Sequence, residues 1–239
     1  MAEFGSESLD TDFRAAAYQD SRLSIPEKPG LILMGKIVII DFETTGLSPR
    51  LGDRTTEVGA VIIDGDKIID KYQSLMNAGI AIPGFIQQLT GITNAMLRQA
   101  PTCQKVMQEL ADFIGDIPLA AHNASFDTLF LDAEWERIGY QRLQPFTCSM
   151  LLARRIYPHF PDHKLGTLVR HLKLPTTGTY HRALADAEMT ASLLIKIKQD
   201  LQQQYNLSSV PHELLCLLQK KPKAEIANVI KKARLKLDL

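Results

Sequence analysis

Cysteine is scarce in this chain of 239 residues: Cys103, Cys148 and Cys216 lie far apart and never in a C-x-x-C pair. That scarcity excludes a disulfide framework and a thiolate zinc site, and it suits a reducing compartment, so a cytoplasmic location is expected. An excess of charge is missing too, since Lys plus Arg and Asp plus Glu number 27 each. Without a global basic field of the kind that coats long nucleic acid, any contact with a polyanion has to be local. No apolar run approaches the roughly 18–20 residues of a bilayer-spanning helix, and the N-terminus lacks a basic-then-apolar signal pattern, so no membrane association is expected. Repeats and low-complexity tracts are absent as well. What remains is globular material, 45% hydrophobic and long enough for one large or two small domains.

The most informative stretch runs from Lys36 through Ile37-Val38-Ile39-Ile40 to Asp41-Phe42-Glu43-Thr44-Thr45-Gly46. Side chains alternate along a strand, so Asp41 and Glu43 project from one side of it, roughly 6.5–7 Å apart. Holding two like charges together costs energy unless a cation or a proton offsets it. Oxygen-only ligands favour a hard divalent ion such as Mg²⁺ or Mn²⁺. A strand that has merely reached solvent at Asp41 is the competing reading, and the pair alone leaves both open.

Further along, Glu57–Ile63 and Lys67–Leu75 read as a second and third strand joined by Asp64-Gly65-Asp66, a strong hairpin signal. Residues 83–97 suggest two short helical turns broken at Gly91. A helix from Thr102 carries Val106, Leu110, Phe113 and Ile114 on one face, then Ile117–Ala121 reads as a short buried strand. A helix carrying Phe130 and Trp135 ends at Gly139, and Pro145–Cys148 is expected as the fifth strand. Helices follow over Met150–Ile156, Leu165–Leu172, Arg182–Gln203, Glu213–Gln219 and Ala224–Leu237. At the N-terminus, Ala2-Glu3-Phe4-Gly5-Ser6 reads as expression-vector residue, and Thr11–Leu23 as a short helix before Pro26 and Pro29. A three-strand meander followed by strands alternating with helices indicates an α/β sheet with the first strand central.

Two more acids and one histidine attach to this frame. Asp127 falls near the start of the helix after Ala121, where a capping or dipole-favoured acid is an innocent alternative. Asp186 lies in the long helix, where a solvated face is the alternative. His181 precedes Asp186 by five residues, about 140° around a helix, so it is expected at or before the helix start, on the Thr176-Thr177-Gly178-Thr179 loop.

The D-x-E pair, the Asp of His122-Asn123-Ala124-Ser125-Phe126-Asp127, and H-x-x-x-x-D at His181 and Asp186 resemble the three motifs of the DnaQ-like (DEDDh) 3′–5′ exonuclease superfamily. Thr44-Thr45-Gly46, Leu89-Thr90-Gly91-Ile92-Thr93 and His163-Lys164-Leu165 fit as well. The match covers about residues 35–200 and is similar to the proofreading epsilon subunits of bacterial DNA polymerase III. One departure is Thr90, where many polymerase proofreaders have histidine.

The resemblance implies a ribonuclease H-like fold: a mixed five-stranded sheet, three strands in an antiparallel meander plus parallel ones, flanked by helices. Residues 1–34 would be an N-terminal extension, 35–205 the exonuclease domain and 206–239 a C-terminal helical extension. It implies a DNA proofreading or repair enzyme that hydrolyses terminal phosphodiesters of single-stranded or frayed DNA to nucleoside 5′-monophosphates. Asp41, Glu43, Asp127 and Asp186 would hold two Mg²⁺ or Mn²⁺ ions, and His181 would take the proton of the attacking water, being the side-chain type that titrates nearest neutrality. Thr44, Thr45 and Gly46 would seat the terminal nucleotide, Leu47 or Ile92 would wedge against its base, and Asn123 would contact the metal site or the nucleotide. The partner is a nucleic acid 3′ end, DNA expected ahead of RNA, with a polymerase or repair protein expected in another chain. Between Arg142 and Arg182 seven Lys or Arg (Arg142, Arg154, Arg155, Lys164, Arg170, Lys173 and Arg182) face one acid, Asp162, a local excess suited to guiding phosphates. Rival readings are an RNA-trimming exoribonuclease, a non-catalytic nucleic-acid-binding module on the same fold, and a glycosidase-like acid pair. The last leaves Asp127, Asp186 and His181 without a role.

Overall fold

The computed structural model describes residues 35–176 and 181–237. The helix expected at Thr11–Leu23 and most of the loop expected ahead of His181 lie outside them. β1 (Lys36–Thr44), β2 (Thr55–Asp64) and β3 (Lys67–Leu75) form the antiparallel meander, with Gly65 at φ +58° supplying the left-handed residue of the β2–β3 turn. β4 (Leu119–Ala121) pairs parallel with β1, and β5 (Phe146–Cys148) pairs parallel with β4. The order β3-β2-β1-β4-β5 makes β1 central, as the sequence pattern indicated.

Both faces of β1 are covered, and its alternation decides what each receives. Val38, Ile40 and Phe42 pack against α3 (Cys103–Ile114) and α4 (Ser125–Arg137), where the single tryptophan, Trp135, is fully buried. Ile37 and Ile39 point the other way, toward α7 (Ala183–Tyr205), and Asp41 and Glu43 continue that face. In the β1–β2 register Asp41 stands opposite Gly59, and Glu43 opposite Glu57. α7 lies very close to the sheet here: a Cβ on Gly59 would sit 2.2 Å from the Leu184 nitrogen and 2.3 Å from the Ala183 carbonyl carbon. Only glycine permits that approach.

α1 (Gly84–Thr90) stops at Gly91, φ +72°, and α2 (Asn94–Gln99) starts under the Thr93 side chain, which accepts a hydrogen bond from the Met96 N–H. These are the two turns expected around Gly91. α5 (Ser149–Ile156) and α6 (Leu165–His171) pack beside α7. The C-terminal α8 (His212–Leu218) and α9 (Ile226–Leu237) place Leu214, Leu215, Leu218, Ile226 and Ile230 in the same buried cluster as Ile37, Ile39 and Leu201. No described helix is long and apolar enough to cross a membrane.

Candidate active site

β1 delivers Asp41 and Glu43, and the first turn of α7 delivers Asp186; carboxylate oxygens of these three lie within 4.8 Å of one another. Asp127, in the first turn of α4, stands outside that trio. It is buried, and the nearby peptide groups of Asp127 itself and of Phe42 on β1 pull its pKa down against that burial. It remains in electrostatic reach, because its charge helps raise Asp41.

Each of the four is pushed above the usual carboxylate range, with burial as the leading cause. Asp41 rises well above it, through burial and then the charges of Asp127, Asp186 and Glu43. Glu43 is pushed up to about 7 by burial and the Asp186 and Glu57 carboxylates, against the pull of Arg182. Asp127 reaches about 8, its burial, with the Glu43 charge, outweighing the pull of the nearby peptide groups of Asp127 and Phe42. Asp186 is raised by burial, against the His181 N–H that holds it. Such a cluster demands protons or a cation, and an all-carboxylate donor set suits a hard divalent ion.

His181 sits just before α7 with its backbone in the left-handed region, φ +63°, and its N–H donates to Asp186 Oδ2 at 2.9 Å. Its side chain is exposed. α7 lacks a capping side chain of its own. Glu57 on β2 supplies one, accepting from the Ala183 N–H at 3.1 Å and gripping Arg182 at 2.7 and 3.1 Å. None of the sequence motifs marks Glu57; its only signal in the sequence is an acid inside the otherwise uncharged run Thr55-Thr56-Glu57-Val58-Gly59-Ala60.

The loop after β1 is built around Asp53, which accepts the Ser48 N–H at 2.9 Å and the Thr45 hydroxyl at 3.4 Å. The Thr44 hydroxyl donates to the Gly46 carbonyl at 2.6 Å, and a Cβ on Gly46 would sit 2.4 Å from the Asp53 carboxylate. The Thr45 N–H donates to the Arg54 carbonyl at 2.9 Å, the Arg54 N–H donates to the Thr45 hydroxyl at 3.0 Å, and Arg54 makes a two-pronged ion pair with the buried Glu134 of α4 at 2.6 and 2.8 Å. The loop is thus tied to the helix that carries Asp127, and it leaves Leu47 82% exposed.

One of the residues expected to touch substrate is placed otherwise. Ile92 has no exposed surface; it packs with Ile82 and Leu97, because the chain turns inward after Gly91, and it offers nothing to a base. Asn123 is exposed with φ +63°, a conformation asparagine tolerates, and its carbonyl accepts the Phe126 N–H at 2.9 Å to start α4. The Thr90 hydroxyl donates to the Ile86 carbonyl at 2.9 Å and accepts the Ile92 N–H at 3.1 Å, holding that turn.

Residues 38–194 match the exonuclease family named RNase_T. The chain belongs to the DnaQ-like exonuclease family. It is 34% identical to DNA polymerase III subunit epsilon of Aquifex aeolicus over 177 residues, 74% of this chain and 87% of that one. It is 39% identical to the PolC-type DNA polymerase III of Bacillus subtilis over 165 residues, 68% of this chain and 11% of that protein. The chain thus spans about a tenth of the PolC-type relatives it matches. Among solved structures it is similar to exonuclease X in complex with 5′-overhanging duplex DNA: TM-score 0.61, 27% identity, covering 77% of this chain and 99% of that one. The nuclease domain of 3′hExo bound to rAMP has a TM-score of 0.59 at 21% identity, covering 74% and 96%, a likeness of fold. The neighbours fit the ribonuclease H-like architecture expected of this chain.

The basic stretch between Arg142 and Arg182 is thinner in three dimensions than in sequence. Arg142 is spent on Asp132 and the Gln144 carbonyl, Arg155 on the Leu151 and Lys221 carbonyls, and Arg182 on Glu57. Arg154, Lys164, Arg170 and Lys173 stay exposed. His122 opens the His122–Asp127 motif; its ring bridges the Ser149 hydroxyl and the His163 carbonyl, both at 2.9 Å, and burial pushes its pKa down to about 4. It therefore acts as a neutral clip between the end of β4 and the loop before α6.

Proposed function

We propose that this chain is a divalent-metal-dependent 3′–5′ exonuclease that trims single-stranded or frayed DNA ends to nucleoside 5′-monophosphates, in proofreading or repair. The observation that carries the reading is the convergence of Asp41, Glu43 and Asp186 oxygens within 4.8 Å, beside the buried Asp127. These carboxylates would hold two Mg²⁺ or Mn²⁺ ions. Bound there, such ions lower the pKa of an attacking water and offset charge on the phosphate and leaving oxygen. His181, exposed and anchored to Asp186 through its own N–H, takes the water's proton. The Thr44-Thr45-Gly46 loop, stiffened by Asp53 and Arg54, seats the terminal nucleotide, and Leu47 stacks on its base.

A DNA substrate is supported by the relatives' names as polymerase III proteins and by the duplex DNA of exonuclease X, and a polymerase is the proposed partner. The test is degradation of 5′-labelled single-stranded DNA, duplex DNA and RNA with Mg²⁺ or Mn²⁺, beside Asp41→Ala and His181→Ala. Stepwise shortening from the 3′ end of DNA is expected. His181→Ala should lose about 10²–10⁴-fold in kcat, the ordinary contribution of a general base, and Asp41→Ala should be inactive. Full activity in Asp41→Ala would overturn the site, whereas faster trimming of RNA would change the substrate and leave the site intact.

A further inference from the structure

Glu57 is a carboxylate with no exposed surface, and the reaction outlined above leaves it without a role. Its oxygens are fully engaged. Oε1 accepts from Gln73 Nε2 at 2.8 Å and Arg182 Nη2 at 2.7 Å; Oε2 accepts from Arg182 Nε and the Ala183 N–H, both at 3.1 Å. Burying a charge costs several kcal/mol unless it is paired and hydrogen-bonded, and the two-pronged arginine meets that requirement. A serine or threonine at the N-cap would satisfy the helix far more simply.

Location explains the choice. Glu57 stands directly opposite Glu43 across β1 and β2, and two of its three partners, Arg182 and Ala183, are the residues that follow His181. His181 itself is held by one oxygen of Asp186, a carboxylate whose oxygens a divalent ion would claim. Glu57 grips the adjoining backbone through atoms that no ion needs. Gly59, two residues on, is what lets α7 come near enough for this grip.

The geometry points to Glu57 as a positioning residue: through Arg182 and the Ala183 N–H it fixes His181 and Asp186 relative to Asp41 and Glu43, and it does so independently of the bond between His181 and Asp186. The kinetic consequence rests on the exonuclease reading; the structural one does not.

The test uses the full chain carrying Arg182→Gln or Glu57→Gln. Arg182 is partly exposed, and its replacement leaves Glu57 with Gln73 and the Ala183 N–H, so this variant is expected to fold even where Glu57→Gln does not. The first readout is the His181 imidazole NMR signal in metal-free protein, assigned by its loss in His181→Ala. The second is kcat and KM on a 5′-labelled single-stranded oligonucleotide. A shifted or broadened His181 signal is expected, with kcat down about 10–100-fold, as an ångström-scale misplacement of a catalytic group costs, and KM within about 3-fold. An unmoved signal with kcat at the wild-type level in Arg182→Gln would overturn the proposal, even if that variant melts earlier, because it would leave the ion pair a purely stabilising contact. An inactive wild-type protein would count against the exonuclease reading alone, since the NMR comparison still decides the latch.

Discussion

At Glu43 and Asp127 the folded protein holds protons that the unfolded chain has released, with side chains pushed up to about 7 and about 8. The folded state therefore binds more protons than the unfolded one, and stability falls as pH rises through that interval. His122 and His212, lowered by burial, act with the opposite sign, but only below about pH 6.5, where unfolded histidine takes up its proton. The carboxylate effect is isolated between about pH 6.5 and 8. Thermal melts of metal-free protein should lose on the order of 5 °C over that span, Asp127→Asn should flatten part of the slope, and Mn²⁺ should raise the melting temperature more at pH 8 than at pH 6.5, because ion and proton compete for the same oxygens. A level profile without metal would show that the carboxylates are ionised and the reading of their environment is wrong. At this scale the sequence was informative where a side chain's role follows from local period: two acids on one face of a strand need no tertiary knowledge. It was silent on Glu57, whose partners are 16, 125 and 126 residues away, and it misplaced Ile92, whose burial depends on how the chain turns after Gly91.

Among the elements, α7 couples packing to chemistry. Its first turn carries Asp186, and the same turn rests on the bare backbone of Gly59. The β-branched runs and the Asp-Gly step made the meander readable, because strand propensity and turn geometry are local. How closely a helix settles on a strand is not local, and nothing about Gly59 alone announced it. Gly59→Ala puts a methyl 2.2–2.4 Å from three backbone atoms of Ala183 and Leu184, which cannot rotate aside. The helix start must lift from the sheet, at a cost of about 3 kcal/mol or more, the upper range for overpacking. Urea denaturation should register that loss. Exonuclease activity should fall further than stability explains, since Asp186 travels with the helix. A Gly59→Ala protein with wild-type kcat would show that the site tolerates movement of α7.

Across the whole molecule, chemistry and closure sit at opposite ends of that helix. Asp186 lies in its first turn, while Leu201, 15 residues on and about 22 Å along the axis, joins the cluster that α8 and α9 complete. The C-terminal residues, legible in sequence only as helices, also finish the sheet: Gln219 accepts the Cys148 N–H at 2.7 Å and donates to the Phe146 carbonyl at 2.9 Å, so one side-chain amide takes the place of a neighbouring strand for β5. His212 Nε2 lies 2.9 Å from both the Leu119 carbonyl and the Thr147 hydroxyl, bringing α8 to the same strands. Long-range pairing of this kind has no periodic signature, which is why the tail's function was unreadable while its secondary structure was plain. Gln219→Ala would leave the buried Cys148 N–H unmatched and the Phe146 carbonyl with only the weak Cys216 thiol donor at 3.8 Å, a loss of about 1–3 kcal/mol and so roughly 3–8 °C in melting temperature. Catalysis should be spared, with kcat within about 2-fold of wild type below the melt, because the first turn of α7 and its latch to Glu57 are untouched. Should kcat instead collapse in Gln219→Ala while the fold persists, the far end of α7 would be communicating with the carboxylates, and the separation of closure from chemistry would fail.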